Sequence, residues 1–243
     1  MLTSAPVSWP WNRRTNPACR FAILFPGRTG SSFLVSCLDA HPQVVAEGER
    51  LVRLDARAQQ AWLNEFYDQA RPKPVRAVGF KTKLKDVWDH GAFADFLRSR
   101  EMRIVSLRRR NMVKLAVSTL NARRIHALTG RWNRSADAPQ LGPLETSPEE
   151  LGAMVARCIA AQREVDAYVG ALGLPSLALD YEELLADRSA WLARVTDFLG
   201  VDSMPLAGSI EKATDDDLRV ALADFDRLRA HFASESFAAD FTS

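Results

Sequence analysis

Five consecutive apolar residues, Phe21-Ala22-Ile23-Leu24-Phe25, stop abruptly at Pro26-Gly27-Arg28-Thr29-Gly30, and a helical pattern begins directly after. An apolar run without polar alternation suits a strand covered on both faces, the condition of a parallel sheet. Pro26 and the two glycines prevent its continuation. From Ser31 to Leu38, the residues Phe33, Leu34, Cys37 and Leu38 share one helix face, and His41-Pro42 ends that helix. A buried strand, a tight turn and a helix form the first half of a βαβ unit. This constrains the chain to an α/β architecture more than any other feature does.

The alternation recurs. Apolar runs at Ala77–Phe80 (leading into Lys81), Arg103–Leu107 and Ser176–Asp180 predict three further strands. Helices are predicted over about 91–100, 112–128, 148–172, 182–199 with a break near Asp187, and 215–232. The start at Ser147-Pro148-Glu149-Glu150 is the clearest, with serine at the N-cap, proline in the first helical position and acids in the first turn. Residues 1–19 read as irregular, residues 130–148 as a loop, and residues 1–243 together as one domain. A chain that is 47% hydrophobic and 26% charged can bury a sizeable core. In a parallel sheet, ligands bind beyond the carboxyl ends of the strands. The residues following Phe25, Phe80, Leu107 and Asp180 are therefore the places to look.

Several classes are set aside. No stretch approaches the roughly 18 apolar residues of a membrane span, and the first 20 residues lack the apolar run of a signal peptide. Cys19, Cys37 and Cys158 are scattered, and His41, His90, His126 and His231 show no metal-binding spacing. The expectation is a reduced, cytoplasmic protein without a metal. The formal net charge of +2 conceals an asymmetry: residues 1–134 hold 24 Lys and Arg against 10 Asp and Glu, and residues 135–243 hold 8 against 20. Either the basic half meets an anion, or the two halves attract each other.

The turn after the first strand carries the chemistry. Gly27 and Gly30 let the backbone bring N–H groups toward an anion. The helix that follows adds free donors and the positive end of its dipole, and Arg28, Thr29, Ser31 and Ser32 add side-chain donors. No GxxxxGK[ST] occurs, and the chain contains no Gly-Lys dipeptide. The turn therefore lacks the lysine and the magnesium ligand of phosphoryl-transfer loops. A sulfuryl group carries one negative charge fewer than a phosphoryl group and can be transferred with protein donors alone.

The string Pro26-Gly27-Arg28-Thr29-Gly30-Ser31-Ser32, with Leu38-Asp39-Ala40-His41-Pro42-Gln43-Val44 after it, resembles the phosphosulfate loop and helix of sulfotransferases that use 3′-phosphoadenosine-5′-phosphosulfate (PAPS). Gly27 is an insertion relative to the family's P-R-S/T-G-S/T-S/T pattern. Arg110 to Ser118 is similar to the family's 3′-phosphate motif, an arginine with a serine eight residues later. Tyr181-Glu182-Glu183-Leu184, with Phe198-Leu199-Gly200, resembles its Y-E-x-L … F-L-G segment, and Lys212 lies in a stretch resembling a C-terminal lysine segment. The resemblance covers about residues 21–232. It is nearest to bacterial carbohydrate sulfotransferases, with a phosphosulfate loop similar to that of tyrosylprotein sulfotransferases.

The resemblance implies a P-loop-like three-layer fold with a mostly parallel central sheet flanked by helices. PAPS would be the donor, held by Gly27, Arg28, Thr29, Gly30, Ser31, Ser32, Arg110, Ser118, Tyr181 and Lys212, with no metal. Glu49 falls where relatives carry a catalytic glutamate, and burial that raises its pKa would suit it as the base; Glu47 is the substitute. Arg28 would stabilise the leaving phosphate and Lys81 a sulfuryl oxygen. Cytosolic relatives read K-T-H where this chain reads Lys81-Thr82-Lys83, so the histidine base is absent. The implied acceptor is a small molecule, glycan or glycolipid hydroxyl, walled by residues 50–74 and 130–148, with Trp62, Phe66, Tyr67 and Trp132 available to stack on sugars. Neither nucleic-acid binding nor membrane insertion is expected, and a homodimer is compatible with the sequence. The rival readings are a metal-dependent kinase, a non-catalytic nucleotide- or nucleic-acid-binding module, and a degenerate sulfotransferase that binds nucleotide without turnover.

Overall fold

The computed structural model describes residues 14–132, 141–205 and 217–242. Its centre is a five-stranded sheet made of β2 (Cys19–Leu24), β3 (Val44–Glu47), β5 (Ala77–Thr82), β6 (Arg103–Arg108) and β7 (Ser176–Asp180), in the order β3-β5-β2-β6-β7. All neighbouring pairs are parallel. The apolar run that starts at Phe21 thus lies in the central strand. Two short strands, β1 (Arg14–Thr15) and β4 (Arg71–Pro72), pair antiparallel beside it, so the segment read as irregular contains a strand.

Parity along β2 divides the core. Cys19, Phe21 and Ile23 pack against α1 (Ser31–Asp39) and α7 (Arg188–Leu199), while Ala22 and Leu24 face α2 (Ala56–Asp68), α3 (His90–Ser99) and α5 (Pro148–Leu172). A third cluster joins α4 (Met112–Thr129) to the early turns of α5 and to α8 (Leu218–Ala221) and α9 (Phe225–His231). The helix α6 (Tyr181–Ala186) is separated from α7 by Asp187, whose side chain caps α7 through Ala190 N–H. This capping aspartate is the predicted break. The helix predicted over 215–232 is instead two short helices, parted where Leu144 and Leu222 form an isolated bridge.

β3 and α2 have no counterpart in the sequence reading. Val44–Glu47 is short and opens with half its residues turned to the core, so its periodicity is weak. Leu63, Phe66 and Tyr67 of α2 are buried, and Trp62 stacks on Phe66 and lies edge-on to Phe80. Phe66 and Tyr67 are core residues, and Trp62 is half-buried against them. Among the four, only Trp132 is exposed.

Two further features fix the sheet. His41 is buried: Gln43 N–H donates to Nδ1 at 3.0 Å and Nε2 donates to the Asp202 carbonyl at 2.8 Å. The histidine of the L-x-x-H-P segment therefore ties the end of α1 to the chain after α7. Gly79 lies opposite Phe21, where an added Cβ would come 2.4 Å from the Phe21 carbonyl oxygen. That carbonyl also accepts from Tyr67 Oη at 2.6 Å. Gly79→Ala should cost roughly 3 kcal/mol, because backbone rather than a flexible side chain must move. Denaturant unfolding would show it, and an unchanged midpoint would contradict it.

Part of the basic half is matched by the acidic half. Arg108 pairs with Asp166 at 2.8 Å, Arg76 with Asp202 at 3.1 Å and Arg110 with Asp180 at 3.7 Å. No described helix is long and apolar enough to cross a membrane.

Candidate active site

The carboxyl ends of β2, β5 and β6 converge on the turn between β2 and α1. Gly27, Arg28 and Gly30 all adopt positive φ, at 126°, 54° and 80°. Arg28 holds a conformation that glycine adopts easily and other residues seldom do. At Gly30 a Cβ would lie 3.1 Å from Leu184 Cδ2 and 3.2 Å from Tyr181 Cδ2, so both conformation and space require glycine. Gly30 is also the N-cap of α1, which consequently starts without a side-chain cap. Thr29 is fully buried, and its Oγ1 has no hydrogen-bond partner among the described residues. A buried hydroxyl, an uncapped helix start and a left-handed loop together form a cradle that an anion satisfies.

Cations surround the cradle. Arg28 Nε donates to Ser118 Oγ at 3.3 Å, and its Nη1 to the Trp132 carbonyl at 3.3 Å. Burial, and then the positive charge of Arg109, push the Arg28 pKa down. Arg109 is 6% exposed, its guanidinium lies 4.6 Å from the centre of the Tyr181 ring, and its Nη1 donates to the Arg28 carbonyl at 3.5 Å. From β5, Lys81 Nζ donates to Ser32 Oγ at 2.7 Å and Ser31 Oγ at 3.4 Å.

Glu49 stands at the mouth of this loop, just beyond β3. Its Oε1 lies 3.4 Å from Lys81 Nζ, and its Oε2 pairs with Lys83. Burial pushes the Glu49 carboxyl up, but the Lys83 hydrogen bond and the charges of Lys83 and Lys81 outweigh it and hold the group below its ordinary value. The expected upward shift is therefore corrected: two ammonium groups dominate desolvation here. Glu47 is turned to Arg50, 2.9 Å away, and is not part of this cluster.

The two residues of the expected 3′-phosphate pair, Arg110 and Ser118, have separate protein partners. The Arg110 side chain is exposed and lies 3.7 Å from Asp180 and 3.8 Å from Glu182, while Ser118 accepts from Arg28. The strand-end arginine that turns to the loop is Arg109. Strand parity is the signal that could have found it, since Val105 and Leu107 share the face that packs on α1 and Arg109 continues that face. Arg108 takes the opposite face and reaches Asp166 on α5. Tyr181 lies between Gly30 and Arg109. Lys212 lies outside the described residues.

The chain is similar to known proteins along most of its length. Nodulation protein H of Rhizobium tropici is 28% identical over 239 residues, spanning 91% of this chain and 92% of that protein. Nodulation protein H of Rhizobium meliloti strain 1021 is 27% identical over 250 residues, spanning 93% and 96%. The crystal structure of a sulfotransferase from Alicyclobacillus acidocaldarius superposes with a TM-score of 0.51 at 18% identity, covering 93% of this chain and 94% of that one. A sulfotransferase domain from the curacin biosynthetic pathway does so with a TM-score of 0.50 at 15% identity, covering 95% and 92%. These two solved structures share the fold. No protein-family profile matches the chain.

Fold, loop and relatives together define an enzyme of sulfuryl transfer. The chain is similar to the nodulation H proteins along nearly its whole length and shares the fold of solved sulfotransferases.

Proposed function

We propose that this sulfotransferase moves the sulfuryl group of PAPS to a hydroxyl of a carbohydrate or glycolipid acceptor in the cytoplasm, and that residues 1–243 act as one domain. The observation that carries the reading is a carboxylate, Glu49, at the mouth of an anion cradle that has no Walker lysine. The loop from Gly27 to Ser32 would hold the 5′-phosphosulfate, with the Thr29 hydroxyl and the start of α1 supplying donors. Tyr181 and Arg109 would border the nucleotide. Arg110 and Ser118 are assigned to the 3′-phosphate by resemblance. To serve there, Arg110 must leave Asp180 and Glu182, an exposed pairing that costs little to break. Lys212 is assigned to the nucleotide on the same ground.

In the reaction, a bond forms between the acceptor oxygen and sulfur while the bond from sulfur to the 5′-phosphate oxygen breaks. Glu49 receives the acceptor's proton, Lys81 faces the sulfuryl oxygens, and Arg28 meets the charge that develops on the departing phosphate. Arginine stays protonated, so its contribution is electrostatic. Adenosine 3′,5′-bisphosphate is the leaving product. The carbohydrate acceptor rests on the resemblance to bacterial carbohydrate sulfotransferases and on the exposed Trp132, whose carbonyl is bonded to Arg28.

The test is calorimetric binding of adenosine 3′,5′-bisphosphate, followed by transfer from labelled PAPS to a panel of glycans, glycolipids and tyrosyl peptides. Micromolar binding that is unchanged when magnesium is chelated is expected. Failure to bind the bisphosphate would remove this reading, and strict magnesium dependence would favour a kinase.

A further inference from the structure

Lys81 serves two partners with one ammonium group. It is 6% exposed, and Nζ lies 2.7 Å from Ser32 Oγ and 3.4 Å from Ser31 Oγ on the donor loop, and 3.4 Å from Glu49 Oε1. The groups facing Glu49 are Lys81 from β5 and Lys83 just beyond it, with Asp86 3.8 Å behind Lys83. Arg28 lies beyond Lys81, close enough for its charge to act on the ammonium. The Phe25 ring sits 5.3 Å from the Lys81 nitrogen and 5.1 Å from that of Lys83. It closes one side of the cluster with apolar surface, and interactions there are screened little.

An ammonium has three N–H donors. On Lys81, two hydroxyls and a carboxylate take them up. An anion seated in the loop, beside Ser31 and Ser32, accepts more strongly than a hydroxyl does and competes with Glu49 for the same donors. We propose that Lys81 couples donor occupancy to the strength of Glu49 as a base: a bound anion draws the shared ammonium, and Glu49, left to Lys83, takes a proton more readily. The inference rests on the loop being the donor site and Glu49 the base. It gives the free enzyme a weak carboxylate base that strengthens only when a group to be transferred is in place.

Coupling between two sites is reciprocal. If an anion in the loop raises the proton affinity of Glu49, then neutralising Glu49 must tighten anion binding by the same factor. The experiment is calorimetric titration of adenosine 3′,5′-bisphosphate at pH 7 into the wild type, Glu49→Gln, Glu49→Ala, Lys81→Met and the Lys81→Met/Glu49→Gln double variant, with melting curves to confirm folding. Glu49→Gln and Glu49→Ala should both bind the bisphosphate about tenfold more tightly than wild type, the factor that corresponds to one pKa unit of coupling. In the Lys81→Met background the Glu49 substitution should change the affinity by less than about twofold, the behaviour of a coupled pair in a mutant cycle. Unchanged or weaker binding by both Glu49 variants would overturn the inference. So would a tenfold gain that persists without Lys81, because it would then arise from direct repulsion between Glu49 and the anion. A wild type that does not bind the bisphosphate would instead refute the donor assignment itself.

Discussion

Arg28→Ala is expected to slow sulfuryl transfer about 10³-fold, the scale on which preorganised donors to a developing negative charge act. The guanidinium is fixed before the reaction begins, at one end by Ser118 and at the other by the Trp132 carbonyl, so little reorganisation is needed as charge builds on the bridging oxygen. Its backbone stands at φ 54°, and alanine is no better suited to that conformation than arginine. Arg28→Gly separates the two effects, since glycine relieves the backbone while also removing the side chain. Equal losses in the two variants would place the effect in the guanidinium. Arg28→Lys should recover part of the rate, because it keeps the charge and loses the fork. Single-turnover transfer from labelled PAPS measures all three. Activity within tenfold of wild type in Arg28→Ala would remove the assignment.

Glu49→Gln is expected to lower turnover by about 10²–10⁴-fold, the range for loss of a general base, while donor binding tightens. Opposite movements of kcat and donor affinity distinguish a lost base from a damaged site. The pH dependence follows from the neighbours of Glu49. In the free enzyme Lys83 and Lys81 hold its carboxyl below the ordinary carboxylate value. A base works when ionised, so kcat/KM should be flat through neutral pH and fall only as the pH drops through that depressed pKa. kcat reports the loaded enzyme. If an anion draws Lys81 away, the acid limb of kcat should lie at higher pH than that of kcat/KM. Coincident limbs, or a kcat/KM limb near neutrality, would contradict this account.

The fold was legible wherever one strand or helix carries its own signal. β2, β5 and β6 are apolar runs because both faces of a parallel strand are covered, and α5 starts at Ser147-Pro148 because a capping serine and an N-terminal proline act locally. The signals failed where the pattern depends on neighbours. Val44–Glu47 is a strand because β5 pairs with it. The segment after residue 217 breaks into two short helices where Leu144 bridges to Leu222.

For the site, residue order gave the loop and its chemistry. Positive φ at Gly27 and Gly30 is the tight turn expected of two glycines, whereas the positive φ of Arg28, the uncapped start of α1 and the contact of Gly30 with Tyr181 are visible only in the structure. The identity of the inward arginine was not visible in the string Arg108-Arg109-Arg110. Three identical side chains have identical chemistry, and only the pleat of β6 and the acids of α5, β7 and α6 sort them into one toward Asp166, one toward the loop and one toward Asp180 and Glu182. The same holds for Glu49. Its position along the chain marked it as a carboxylate near the loop, and the sign of its pKa shift depended on which cations folding would place beside it. Sequence alone determined the α/β alternation and the glycine turn after β2, because both arise from interactions within a few residues. The tertiary structure decided which cations face that loop and that they hold the Glu49 carboxyl low, because charge acts through space and the residues concerned lie 32 to 81 positions apart in the chain.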